Sequence, residues 1–177
     1  ITLSPEDISS LYQSEGLVYP CQDLIENQYL MVRSSDALSQ EEPNLVKYRG
    51  GKLIPLNGKN AVQGIRPKNP QQAFLLDACL DEQIQLVSVL GKAGTGKTLL
   101  ALAAGLYQTV DRQKYDRVIV VRPMVSVGKE MGYLPGEVEE KILPWYDSVF
   151  DTWAVAVEKE TKKSEKSQKR IKDLLDL

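Results

Sequence analysis

Gly91-Lys92-Ala93-Gly94-Thr95-Gly96-Lys97-Thr98 constrains this chain more than any other stretch of it. The octet fits the Walker A pattern, G-x-x-x-x-G-K-[ST], at every defined position. Its setting fits too. Leu86-Val87-Ser88-Val89-Leu90 precedes it, a short apolar run suited to a buried parallel strand. Thr98-Leu99-Leu100-Ala101-Leu102-Ala103-Ala104 follows, rich in helix formers. Strand, glycine loop and helix in that order predict a phosphate-binding turn.

The residue types carry the chemistry. Gly91, Gly94 and Gly96 permit a tight turn that brings backbone N–H groups up to phosphate oxygens, with Lys92, Ala93 and Thr95 completing the cradle. The helix start near Lys97 adds its positive end. Lys97 is the candidate catalytic cation for the β- and γ-phosphates. Thr98 offers its hydroxyl to Mg²⁺, as the metal-binding and second catalytic residue. The expected ligand is therefore a nucleoside triphosphate with its Mg²⁺. The plain alternative is a glycine-rich turn that binds nothing.

The 177 residues suggest one ordinary domain plus an appendage. Twenty-two basic residues against twenty-four acidic ones give a net charge of −2. Any nucleic acid must therefore be held by a local patch, since no global positive field exists. No apolar run is long enough for a membrane span. The start, Ile1-Thr2-Leu3-Ser4-Pro5-Glu6-Asp7, lacks the character of a signal peptide and lacks Met, as an excised piece would. Cys21 and Cys79 read as reduced cysteines of a cytoplasmic protein. The chain contains no histidine, which excludes histidine bases and ligands within it.

Residues 1–66 read as a small, mainly antiparallel β module. Ser4-Pro5 with Asp7 marks a helix start. Strand-like runs follow at Gly16–Tyr19, Gln28–Arg33, Leu45–Arg49 and Lys52–Leu56, and Arg49-Gly50-Gly51-Lys52 signals a hairpin. Residues 67–177 read as the α/β nucleotide-binding core. Pro70 opens a helical segment with Ala73, Phe74, Leu76, Ala78 and Leu80. Arg117–Val121 reads as a second strand, completing a βαβ unit and hence a parallel sheet. A long loop over 124–136 leads to a helical pattern from Glu137 to about Val157, bent at Pro144. Trp145 and Trp153 fit the apolar side of that pattern. The tail at 158–177 is heavily charged, as a solvated helix face or linker is, with a nucleic-acid contact as the sharper alternative.

Further motifs carry a family signature. Pro67-Lys68-Asn69-Pro70-Gln71-Gln72 lies one helix upstream of the glycine loop. Arg122-Pro123, Gly128, Gly132-Tyr133-Leu134-Pro135-Gly136, Glu139-Glu140-Lys141 and Pro144-Trp145 lie downstream. Over roughly residues 64–155 the chain closely resembles the PhoH family of cytoplasmic bacterial ATPases. The upstream β module resembles the segment after the nuclease domain in PIN–PhoH fusions. This resemblance implies ATP as the nucleotide and a core like that of superfamily-1 helicases. It implies that Gln72 pairs with adenine, against the alternative of an ordinary polar residue at a helix start. It also implies single-stranded RNA as partner. A homo-oligomer and a PIN nuclease domain ahead of Ile1 stay open.

Arg122, Lys129 and Tyr133 would lie beyond the carboxyl end of the second strand, on the ligand edge of an open α/β sheet. Their guanidinium, ammonium and aromatic ring suit phosphate and base contacts. A rigid turn with Arg122 paired to a carboxylate explains the same residues. An apolar strand ending in an acid, which would complete the Mg²⁺ shell, is not legible. The chain thus reads as the front half of the core, truncated before that strand: able to hold phosphate, with hydrolysis expected of the intact protein. A small-molecule kinase and a binding-only regulatory module are the competing functions.

Overall fold

The computed structural model describes residues 1–13, 16–36, 42–56, 62 and 64–121. It is a mixed α/β structure that divides into two compact units. The first comprises Ile1–Asn60 with Pro67–Ala78, and the second Ala61–Arg66 with Cys79–Leu177.

The first unit is built on a five-stranded sheet in the order β1-β3-β4-β5-β2. Its strands are β1 (Thr2–Leu3), β2 (Leu17–Val18), β3 (Tyr29–Ser34), β4 (Asn44–Arg49) and β5 (Lys52–Pro55). All four strand-like runs of the module are present, each within a residue or two of its expected limits. The antiparallel reading holds for β2–β5, β3–β4 and β4–β5, whereas β1 pairs parallel to β3. Arg49 pairs with Lys52 across Gly50-Gly51, both at positive φ, which is the two-residue turn that matches strand twist.

Helix α1 (Pro5–Gln13) starts where the sequence indicates. The Asp7 N–H donates to Ser4 Oγ at 3.1 Å, and the Ser4 hydroxyl donates to Asp7 Oδ2 at 2.8 Å. The module's core is Leu3, Leu11, Val32, Val46, Tyr48 and Leu53, with Ile8, Leu17 and Leu30 packed around it. Gly16 marks a close backbone approach. A Cβ there would lie 2.7 Å from the Leu53 carbonyl oxygen, and φ is +105°. Gly16→Ala is therefore expected to cost at least about 1–3 kcal/mol. Urea titration checks this, and an unchanged midpoint would contradict it.

In β4 the consecutive residues Val46, Lys47 and Tyr48 are all buried, so both faces of the strand are covered. On the Lys47 side lies α2 (Pro70–Leu80), whose residues up to Ala78 belong to the same unit. The Lys47 ammonium and the Tyr29 hydroxyl both donate to Asp77 Oδ2, each at 2.8 Å. Phe74 stacks on Tyr29 with centroids 5.1 Å apart.

The second unit centres on α3 (Lys97–Leu106), which continues as a π turn over Tyr107–Asp111. Leu100, Leu102, Ala103, Ala104 and Leu106 are buried. Gly105 lets the 117–121 segment pass close by; a Cβ there would meet Val118 at 3.3 Å. Gln108 Nε2 donates to the Cys79 carbonyl at 3.1 Å, and Lys114 pairs with Glu82 at 3.0 Å.

The expected βαβ unit is corrected in one respect. Leu86–Leu90 and Arg117–Val121 flank the helix as foreseen, but neither is a strand, and neither has a ladder partner among the described residues. Leu86 and Leu90 are 84% and 97% exposed, Ile119 and Val121 76% and 85%. An open cleft of about 490 Å³ runs along α3, lined by Val87, Ala101, Ala104, Gly105 and Tyr115 among others. A parallel strand needs a neighbour to bond its backbone groups and cover its side chains. Both runs have the composition of such strands without that neighbour among the described residues.

Candidate functional site: the glycine loop before α3

The loop is built from three local facts. Gly94 and Gly96 sit at φ of 76° and 85°, in the left-handed region, so the chain reverses over two residues. Gly96 is the N-cap of α3, with no side chain to cap it. The first helical N–H groups are therefore left without a side-chain acceptor. The loop itself lies at the surface: Gly91 through Thr95 and Thr98 are exposed, Gly96 and Lys97 half-buried.

Lys97 folds back over this turn. Its ammonium donates to the carbonyls of Gly91 at 2.8 Å and Lys92 at 2.7 Å, and to Thr95 Oγ1 at 3.5 Å. The Thr95 hydroxyl donates in turn to the Lys92 carbonyl at 2.9 Å. The loop is thus cinched around the cation. No carboxylate pairs with Lys97 among the described residues. A cation at the first residue of a helix also opposes the helix dipole, which is positive at that end. Locally unfavourable charge, left-handed glycines and uncapped N–H groups all have one natural complement, an anion.

Gln72 lies in the first unit and the loop in the second. The structure gives Gln72 a helix-start role, in line with the alternative stated for it above. Its backbone N–H donates to Asn69 Oδ1 at 2.9 Å, and its side-chain Oε1 accepts from the Lys68 N–H at 2.8 Å. Asn69 caps α2, Pro70 takes the first position, and the glutamine of the third turns back over the cap. The signal was present in Asn69-Pro70-Gln71-Gln72, which is close to a capping box. The amide of Gln72 is oriented by this arrangement.

Arg122, Lys129 and Tyr133 lie outside the described residues, as do Trp145, Trp153 and the charged tail. Cys79 is a free thiol whose pKa burial pushes up, so little thiolate forms and it is no ready nucleophile. No group of three or more acidic or cysteine side chains among the described residues could hold a metal by protein ligands alone. No described helix is long and apolar enough to cross a membrane.

Known proteins place the chain. The family model described as PhoH-like protein matches residues 64–174. The chain is 60% identical over 90 residues to Protein PhoH2 of Bacillus subtilis strain 168, an alignment covering 51% of this chain and 20% of that protein. It is 46% identical over 102 residues to Protein PhoH2 of Mycolicibacterium smegmatis, covering 57% and 23%. Protein PhoH of Escherichia coli K12 is 36% identical over 87 residues, covering 49% and 24%. The chain thus spans about a fifth to a quarter of the length of these relatives. No solved structure matches it. With a family match that takes in the glycine loop, α3 and the Asn69–Gln72 segment, the chain belongs to the PhoH-like protein family.

Proposed function

We propose that this chain is the nucleotide-binding part of a PhoH-type ATPase that acts on RNA. The observation that carries the reading is Lys97. It is a cation at the positive end of α3, gathered in by loop carbonyls and faced by no described carboxylate. A triphosphate would take the place of those carbonyls at the ammonium and accept from the N–H groups of the turn. Thr98, exposed at the start of α3, would contribute one hydroxyl to Mg²⁺. With so few protein ligands, the ion would take its remaining positions from phosphate oxygens and water, as Mg²⁺ commonly does.

Hydrolysis needs more than a cradle. Nearly all acceleration of phosphoryl transfer comes from positioning and electrostatics, including a group that orients the attacking water. Only the intact protein is proposed to supply that group. RNA is proposed on the family resemblance and on Arg122, Lys129 and Tyr133. The test is ATP turnover by the intact protein with and without single-stranded RNA. Stimulation by RNA supports the proposal. Phosphate transfer to a metabolite would favour a kinase, and tight binding without turnover a regulatory module; either would sink the RNA-dependent reading.

Gln72 is proposed as the adenine-selecting residue. Its amide, held by the Lys68 N–H, can match a purine edge that offers one donor and one acceptor. Gln72→Ala is expected to narrow the preference for ATP over GTP roughly tenfold or more. Competition against a fluorescent ATP analogue reads this directly. If GTP already competes as well as ATP against the unmodified protein, the role assigned to Gln72 is wrong.

A further inference from the structure

The β module is joined to α2 by a contact that structural scaffolding alone does not require. Lys47, 8% exposed, is the one buried charged residue among those described. Its ammonium meets Asp77 Oδ2 at 2.8 Å and lies 5.9 Å from the centre of the Tyr29 ring. The Tyr29 hydroxyl donates to the same Asp77 oxygen at 2.8 Å, and the Tyr29 ring stacks on Phe74. Phe74 and Asp77 are three residues apart on α2 and so share a face. Gln72 stands two residues before Phe74, roughly 200° around the helix and hence on the opposite side. The sheet grips one face of α2 at two points, through Phe74 and Asp77; the other face carries Gln72.

We propose that Tyr29 and Lys47 are positioning residues for base recognition: through Asp77 and Phe74 they fix the rotation and height of α2, and thereby the Gln72 amide. This rests on the reading of Gln72 given above. A buried ion pair is a poor source of stability, because desolvation offsets most of its attraction. It is a good source of register, since its geometry admits one arrangement. A helix held only by Leu76 and Ala73 could slide or roll by an ångström at small cost, and recognition by hydrogen bonds tolerates no such displacement.

The test measures Mg·ATP, Mg·GTP and inorganic tripolyphosphate as competitors of a fluorescent nucleotide on the intact protein, for Tyr29→Phe, Lys47→Met, Lys47→Arg and Gln72→Ala. Tyr29→Phe and Lys47→Met are expected to lower the ATP-over-GTP preference about three- to tenfold. The loss should fall on ATP, with tripolyphosphate unchanged, and Lys47→Arg should restore much of it. Lys47→Met leaves Asp77 bonded to Tyr29 and 31% exposed in its side chain, so the fold should survive. If it does not, Tyr29→Phe, which removes one hydroxyl, decides alone. Equal weakening of all three ligands would show a purely structural role and overturn the proposal. So would a retained preference in the folded variants while Gln72→Ala abolishes it. A preference untouched by Gln72→Ala would overturn the reading of Gln72 and this proposal together.

Discussion

Replacing Lys97 by alanine is expected to weaken ATP binding roughly ten- to a hundredfold while leaving the melting temperature unchanged or slightly higher. The two halves of that result have separate causes. A charge-assisted bond to phosphate is worth about 1.5–3 kcal/mol, which sets the loss in affinity. The partners given up by the ammonium in the loop are the Gly91 and Lys92 carbonyls and the Thr95 hydroxyl, all on exposed residues that water can serve. Removing a cation from the positive end of α3 also relieves an unfavourable term of a few tenths of a kcal/mol. Calorimetric titration and thermal unfolding of the same preparation check both halves. Unchanged affinity would remove Lys97 from the site. A large drop in melting temperature would mean that its bonds hold the loop together.

Asp77→Ala should have the largest effect on stability, about 2–4 kcal/mol. It removes the carboxylate to which both the buried Lys47 ammonium and the Tyr29 hydroxyl donate. Breaking a fully buried pair from one side costs about 3–5 kcal/mol. Asp77 retains 31% exposure of its side chain, so water already reaches the pair and the lower part of the range is expected. The double replacement Lys47→Met with Asp77→Leu removes both charges together and should return most of the loss. Urea unfolding of the single and double variants forms the comparison. A single variant within about 0.5 kcal/mol of the parent would show that solvent screens the pair.

The elements that the sequence disclosed share one property: local residues determine them. Ser4 and Asp7 close the start of α1 between themselves, and Gly50-Gly51 settles the β4–β5 register with no help from elsewhere. The glycine loop is local too, since its conformation is set by Gly94, Gly96 and a lysine within the same octet. What escaped the sequence depends on distant partners. Lys47 and Asp77 are 30 residues apart, and neither position looks unusual until the strand and the helix meet. Leu86–Leu90 and Arg117–Val121 have strand composition, yet a strand is a relation between two segments, and among the described residues the second segment is missing. The capping of α2 is legible in Asn69–Gln72 and agrees with the alternative for Gln72, a polar residue at a helix start.

Those two apolar runs have a practical consequence. Leu86, Leu90, Ile119 and Val121 present oily side chains beside backbone that no described strand pairs, which is the surface that templates edge-to-edge association between molecules. Wherever nothing covers them, concentrated solutions should turn cloudy on warming and on adding sulfate, and clear on chilling, because attraction between apolar surfaces weakens in the cold and strengthens in salting-out media. A partner segment that paired with these edges would therefore act as a solubiliser as well as a completing strand, and the clarity of the solution would report its arrival before any assay of nucleotide chemistry.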